Sequence, residues 1–319
     1  MQPSIPSEFA IIGLGKIGSA LARQAIEKGY RVAGFTRHGL PDELIHAGVT
    51  PARSIADLSR CLSPPRIVML YVPAGPAVDE IIGELEAVLS EGDVVIDGGN
   101  SYWGDSVRRH QRLHQRGLSF VDLGTSGGVS GARFGACFMA GGDVESISLI
   151  APILSDLAVE DGWVHAGGPG AGHFVKLVHN GIEFAMLQAI GEGVDLLEHF
   201  HEQLPIADVL RCWRHGSVIR SWLIDLMEAA YRDRKLNVPA YVEDTGEVNW
   251  LIDDALHMEV PIPAIAVSVM QLIASRDEQR NWARAIALMR NGFGGHPFGA
   301  DESIARERRE GRVGPFPKS

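Results

Sequence analysis

Phe9-Ala10-Ile11-Ile12-Gly13-Leu14-Gly15-Lys16-Ile17-Gly18, followed by Ser19 to Lys28, is the stretch that decides the fold. Four apolar residues read as a buried strand, the glycines as a tight turn, and the following run as an amphipathic helix. A GxGxxG alone is an ordinary glycine-rich loop; between a strand and a helix it is a dinucleotide fingerprint. The first glycine permits the turn, the second lets backbone amides approach a pyrophosphate, and the third lets the helix pack on the strand. The helix N-terminus favours the negative charge. Gly13, Leu14, Gly15, Lys16, Ile17 and Gly18 are therefore expected cofactor contacts.

The second strand, Arg31 to Phe35, ends where an acidic residue would bind the ribose hydroxyls of NAD. The chain instead reads Thr36-Arg37-His38. With no carboxylate to repel a 2′-phosphate, and a guanidinium and a hydroxyl to bind one, NADP is preferred over NAD. The alternative makes Arg37 a solvated turn residue stacked on adenine. Further on, strand-like runs alternate with helical ones: Ile67 to Val72 then Val78 to Leu89, Val94 to Ile96 then Asp105 to Gln115, and Ser119 to Val121. This predicts a Rossmann-like, doubly wound parallel sheet covered on both faces. Its ligand edge would gather Pro73-Ala74-Gly75, Gly98-Gly99-Asn100-Ser101 and Thr125-Ser126-Gly127-Gly128. Val72, Pro73, Ala74 and Asn100 join the expected cofactor contacts.

The chain has 319 residues, 45% hydrophobic and 22% charged, enough for two domains with sizeable cores. A net charge of −11 argues against non-specific binding to nucleic acid or anionic membranes. No apolar span reaches ~18 residues, and the start Met1-Gln2-Pro3-Ser4 lacks a signal peptide's basic and apolar regions. A cytoplasmic protein is expected. Cys61, Cys137 and Cys212 lack metal-ligand spacing and are odd in number, so they read as buried thiols in a reducing compartment.

From Gly167-Gly168-Pro169-Gly170 the pattern changes to long helical periodicities over 171–200, 206–213, 222–231, 248–258, 262–275 and 282–289. The expected domains are 1–166, Rossmann-like and α/β, and 167–319, all-α. On the first of these helices Lys176, His179, Asn180 and Glu183 stand at relative positions 0, 3, 4 and 7 and share one face. A base, an imidazole, an amide and a carboxylic acid so aligned suit proton transfer; the same residues could instead form ion pairs on an exposed helix. Trp213, Trp222, Trp250 and Trp282 are expected in the core, with Trp250 a candidate for the pocket wall.

In these motifs the chain resembles the short-form 6-phosphogluconate dehydrogenases, the decarboxylating members of the β-hydroxyacid dehydrogenases. The specific pieces are Ile96-Asp97-Gly98-Gly99-Asn100-Ser101, Ser126-Gly127-Gly128-Val129-Ser130-Gly131, the run from Gly172 to Glu183, and Arg290-Asn291-Gly292-Phe293-Gly294-Gly295-His296. The resemblance implies that Lys176 removes the 3-hydroxyl proton as hydride leaves C3, then returns a proton to the C3 oxygen during decarboxylation. Glu183 would protonate C1 of the enediol. Asn100, His179 and Asn180 would orient hydroxyls, and Ser126 with the amides of Gly127 and Gly128 would hold the carboxylate; no metal is needed. Asn249, Arg276, Arg290 and His296 would face the distal anion. The last two lie on a tail that in relatives enters the neighbouring subunit, so a homodimer or homotetramer is implied.

The distal site departs from the family pattern. Phe184 stands in place of a tyrosine, and Asn249-Trp250-Leu251 in place of a basic residue, tryptophan and threonine. Hydrogen bonds to a charged group are worth ~1.5–3 kcal/mol each, so phosphate binding should weaken unless other groups such as Arg220 compensate. A 6-deoxy-6-sulfogluconate or another sugar acid is one alternative substrate. A small acid of the 3-hydroxyisobutyrate type is a second, although it would not need Glu183 or the tail. A non-catalytic NADP-binding sensor is a third, against which the intact acid–base array stands.

Overall fold

The computed structural model describes residues 7–294, 296–302 and 305. In chain order the elements are β1 (Glu8–Ile12), α1 (Lys16–Glu27), β2 (Arg31–Phe35), α2 (Asp42–His46), β3 (Thr50–Pro51), α3 (Ile55–Cys61), β4 (Ile67–Leu70), α4 (Pro76–Leu85), β5 (Val94–Asp97), α5 (Trp103–His114), β6 (Ser119–Ser126), α6 (Gly128–Phe134), β7 (Ala136–Gly141), α7 (Val144–Leu157) and β8 (Ala158–Gly167). Then come α8 (Ala171–Glu198), α9 (Ile206–Gly216), α10 (Trp222–Arg232), α11 (Glu247–His257), α12 (Pro263–Arg276) and α13 (Asn281–Gly294).

The eight strands form one sheet in the order β3-β2-β1-β4-β5-β6-β7-β8. Successive strand residues point to opposite faces, and here both faces are apolar. Phe9 and Ile11 of β1, with Ile67 and Met69 of β4, enter one buried cluster. Ala10, Ile12, Val68 and Leu70 enter the other. The sheet is therefore covered on both sides, as the continuous apolar runs predict. Chain order reverses beside β1, the strand that leads into the glycine turn, which is where open α/β sheets bind ligands.

Several boundaries differ from expectation. The sheet is not wholly parallel: β7 runs antiparallel to β6, pairing Asp122 with Gly141 through to Ser126 with Cys137. β6 accordingly extends to Ser126 rather than stopping at Val121, because the returning strand continues its ladder. α4 starts at Pro76, whose fixed φ suits a first helical position, and ends before Val88. The thiol expectation is overturned in part. Cys61 is half-buried, but Cys137 and Cys212 are exposed. Cys137 lies between buried Ala136 and Phe138 on β7, so strand alternation turns it away from the core they enter. Trp213 and Trp250 pack against apolar clusters, whereas Trp222 and Trp282 are 53% and 62% exposed.

All six helices expected after Gly167 are present. The described contacts divide the chain into two compact units, one of residues up to Lys235 with Asp244–Val269, the other of Leu236–Glu243 with the residues from Met270 onward. In the first, α8 packs along β6, β7 and β8, while α9 and α10 pair through Leu210 and Ile224. In the second, Arg276 bonds Glu243 at 2.9 Å and the Val242 amide donates to Ser275. No helix among the described residues is long and apolar enough to cross a membrane.

Candidate active site

Three glycines and one buried carboxylate place the start of α8 against the sheet. A Cβ on Gly172 would lie 2.4 Å from the carbonyl oxygens of Asp122 and Met139; one on Gly124 would lie 2.5 Å from Lys176 Cβ; one on Gly141 would lie 2.5 Å from the Gly172 nitrogen. Only hydrogen fits at these positions, so helix and strands approach at backbone distance. Gly170 leads into α8 with φ +89° and offers no side-chain cap. Asp122 of β6 supplies the cap instead, accepting the Gly170 amide at 2.7 Å and the His173 amide at 2.8 Å. Its burial pushes the carboxyl pKa up, against the lowering effect of His173 and these amides.

The predicted helical face is formed. Lys176 is 8% exposed, with Nζ 3.4 Å from His179 Nδ1. His179 Nδ1 lies 3.3 Å from Asn180 Oδ1 and 3.8 Å from Glu183 Oε2, and its Nε2 lies 3.1 Å from Ser126 Oγ. The structure thus brings Ser126, at the end of β6, onto the array. Burial lowers the Lys176 pKa from its ordinary 10.5, opposed by Glu183, Cys137 and Glu247. Burial, and next the Lys176 charge, lower that of His179, opposed by Asn180 and Glu183. An amine and an imidazole held toward their neutral forms can accept protons. Lys176 and Asn180 are buried, whereas His179 and Glu183 stay partly exposed.

Asn100, Ser101, His173, Lys176, Leu177, Asn180, Glu247 and Trp250 line a narrow cleft. Asp97 shapes the loop that displays Asn100, accepting the Gly99 amide at 3.1 Å and Ser101 Oγ at 2.7 Å. Arg109 ties the same carboxylate to Asp79 and the Gly75 carbonyl. On the other wall, Tyr102 and Trp103 donate to Asp254 of α11 at 2.9 and 2.7 Å. That docking brings in Glu247 and Trp250, and Asn180 Nδ2 donates to Glu247 Oε1 at 3.4 Å. Asn249 is exposed and does not line the cleft. Gly127, with φ +105°, and Gly128, with φ +59°, open α6 directly after Ser126.

The cofactor turn meets the steric demands of its pattern. Gly13 has φ +93°, and a Cβ there would strike the Tyr71 carbonyl at 2.3 Å. A Cβ on Gly18 would strike Gly13 O at 2.2 Å, whereas at Gly15 no described atom lies within 4 Å. The open flank belongs to the residue whose backbone would face a pyrophosphate, so the turn fits a dinucleotide. Leu14 is buried and Ile17 packs on the core, while Lys16 is exposed. Thr36, Arg37 and His38 follow β2, with the His38 amide 3.3 Å from Thr36 Oγ1. Arg37 and His38 are exposed, and the Arg37 guanidinium bonds Glu80 of α4 at 2.7 Å. Val72, Pro73 and Ala74 form the loop between β4 and α4.

The sequence profile described as the NAD binding domain of 6-phosphogluconate dehydrogenase matches residues 8–167, and that of the 6-phosphogluconate dehydrogenase C-terminal domain matches 172–292. The chain belongs to the 6-phosphogluconate dehydrogenase family. It is 40% identical over 292 residues to YqeC of Bacillus subtilis, whose assignment to this activity is provisional, covering 91% of this chain and 98% of that one. It is 37% identical over 297 residues to the NAD(+)-dependent, decarboxylating 6-phosphogluconate dehydrogenase of Haloferax volcanii, covering 91% and 97%. The Plasmodium falciparum 6-phosphogluconate dehydrogenase, solved in apo form, with NADP+ and with 6-phosphogluconate, has a TM-score of 0.77 at 25% identity over 92% of this chain and 66% of that one. The 3-hydroxyisobutyrate dehydrogenase of Mycobacterium tuberculosis shares the fold, with a TM-score of 0.67 at 22% identity over 85% of this chain and 94% of that one.

The three residues expected to depart from the family's distal-anion pattern lie in two kinds of surroundings. Phe184 and Leu251 pack in one apolar cluster with Leu177 and Val248, and Asn249 faces out. Arg276 and Arg290 belong to the second unit, the former bonded to Glu243 and the latter exposed. His296, also there, accepts from Asn291 through its backbone oxygen at 2.8 Å. The charged stretch Glu302 to Glu310, which by composition reads as a solvated helix or chain end, falls largely outside the described residues. Sequence reasoning missed Asp122, His173, Glu247 and the Asp97–Arg109 pair. A carboxylate inside Phe120-Val121-Asp122-Leu123 was a readable signal, because a buried charge needs partners. Nothing near Glu247 in sequence points to the cleft.

Proposed function

We propose that this protein is an NADP-dependent dehydrogenase that oxidatively decarboxylates a gluconate carrying an anionic C6 group, 6-phosphogluconate being the first candidate. The observation that carries the reading is Lys176, a buried lysine with lowered pKa at a cleft, with His179, Asn180 and Ser126 converging beside it. A bound nicotinamide would supply the hydride acceptor. Lys176 Nζ takes the 3-hydroxyl proton while neutral and returns one to the C3 oxygen as carbon dioxide departs; Glu183 delivers a proton to C1. Ser126 and the amides of Gly127 and Gly128 hold the carboxylate, and Asn100, His179 and Asn180 orient hydroxyls. Acid–base groups of this kind contribute roughly 10² to 10⁴ in rate, and positioning the rest.

The absence of a carboxylate at Thr36-Arg37-His38 supports NADP, with Arg37 leaving Glu80 for the 2′-phosphate. The naming of the Haloferax relative as NAD(+)-dependent sets the opposite expectation. Exposed Ile182, Met186 and Leu187 on α8, beside an open groove that includes Ala185, Ala189 and Val267, support a homo-oligomer, dimer or tetramer, whose tails bring Arg290 and His296 to neighbouring sites. Phe184 and Leu251 in an apolar cluster favour a second reading, a 6-deoxy-6-sulfogluconate substrate, because a sulfonate monoanion demands fewer donors than a phosphate dianion. The test is kcat/KM for 6-phosphogluconate, sulfogluconate and 3-hydroxyisobutyrate, each with NADP and NAD, with carbon dioxide measured. A C6-anionic gluconate with NADP should lead. Preference for 3-hydroxyisobutyrate, or reduction without carbon dioxide, would overturn the proposal.

A further inference from the structure

Ser106, His110 and His114 recur at every fourth residue of α5 and share one of its faces. Ser106 is engaged at the cleft wall, its Oγ 2.7 Å from His173 Nδ1. The other two stack their imidazoles with centroids 5.6 Å apart and planes 17° from parallel. Asp143, on the turn from β7 into α7, reaches them across 29 or more residues of sequence, with Oδ2 2.8 Å from His110 Nε2. One ligand atom from each of the three lies within 4.8 Å of the others.

Asp143 has a ready alternative that it does not take. It immediately precedes α7, where an aspartate ordinarily accepts an amide of its own helix. It makes no such side-chain bond here, and its carboxylate turns to the histidines instead. None of the three residues lines the cleft or the cofactor turn. We propose that His110, His114 and Asp143 form a binding site for a divalent transition ion of the zinc class.

Two imidazoles and one carboxylate select zinc, cobalt or nickel over magnesium or calcium, which favour all-oxygen shells. Histidines one helical turn apart present two ligands from one rigid element, and Asp143 adds a third from another. Tetrahedral zinc bonds of ~2.0–2.2 Å set the ligand atoms about 3.4 Å apart, so His110 and Asp143 part slightly from their 2.8 Å contact while the exposed His114 ring swings onto the ion. The ion takes the place of the direct His110–Asp143 contact, and water completes the fourth position. It would join α5 to the β7–α7 turn. Because α5 also carries Ser106 and Arg109, which hold His173 and Asp97, the site braces one wall of the cleft without entering the reaction.

The test uses untagged, full-length protein stripped with chelator and titrated calorimetrically with zinc sulfate in a non-coordinating buffer, with cobalt as the visible-spectrum probe. One ion per chain is expected, with unchanged affinity after alkylation of the three thiols. His114→Ala, exposed and outside the catalytic face, and Asp143→Asn should each weaken binding at least about tenfold and remove the cobalt bands. A hundredfold excess of zinc over the wild-type Kd should raise the thermal midpoint of the wild type by on the order of 4 °C, and that of His114→Ala by about half as much or less. Absence of stoichiometric binding, equal affinity in His114→Ala, or loss of binding on alkylation would overturn the assignment.

Discussion

Adding one methyl group at Gly172 should disable the enzyme while leaving cofactor affinity intact. The new Cβ would stand 2.4 Å from two carbonyl oxygens, where ordinary contact begins at 3.4 Å. Both oxygens belong to sheet strands and cannot rotate away, so α8 must retreat by about 1 Å. Overpacking of this kind costs about 1–3 kcal/mol of stability. The larger effect is on rate, because Lys176 lies one helical turn further on and moves with the helix. A misplacement of ~1 Å can cost about 10²-fold. Gly172→Ala should therefore lower kcat about a hundredfold in a spectrophotometric assay of nicotinamide reduction, with the cofactor Kd, read by fluorescence quenching, within twofold of wild type. Gly15→Ala is the contrasting control. Its φ of −74° is open to any residue and no described atom crowds the site, so stability should stay within about 0.5 kcal/mol. Cofactor affinity should fall at least about tenfold, because the methyl occupies the approach of the pyrophosphate. If Gly172→Ala retained kcat within threefold, backbone-distance docking of α8 would not be what positions Lys176.

Lys176→Met should abolish detectable turnover in a correctly assembled protein, and unfolding free energy should register the same group. Because the folded lysine has its pKa lowered from 10.5, the unfolded chain binds more protons between the lowered value and 10.5, so stability climbs with pH across that window. Urea titrations between neutral pH and about pH 10 should show the climb in wild type and not in Lys176→Met, while wild-type kcat/KM rises through the lowered pKa; a pH-independent difference between the two proteins would contradict the buried-amine account. Asp122→Ala leaves the Gly170 and His173 amides without their shared acceptor and should cost about 2–4 kcal/mol in chemical denaturation, with faster amide exchange at the start of α8. A loss under 1 kcal/mol would mean that other groups cap the helix.

Much of this molecule follows from short-range pattern. The glycine turn, the apolar strands and the six later helices are encoded in stretches of a few to thirty residues, because helix period, strand period and glycine stereochemistry act between near neighbours. The face carrying Lys176, His179, Asn180 and Glu183 is local for the same reason, since a helix fixes which of its own residues align. Ser126 beside His179, Asp122 at the head of α8 and Glu247 against Asn180 are separated by 53, 48 or 51, and 67 residues. Which of these meet depends on how strands and helices stack, and that stacking rests on glycines whose closest neighbours are far away in the chain. The exposed Cys137 thiol and the antiparallel β7 have the same origin: the residue type favours burial, but the face it occupies is assigned by how its strand pairs. Lys176 itself shows the division. Its place in line is written in the sequence, whereas its lowered pKa comes from burial, which only the packed structure imposes.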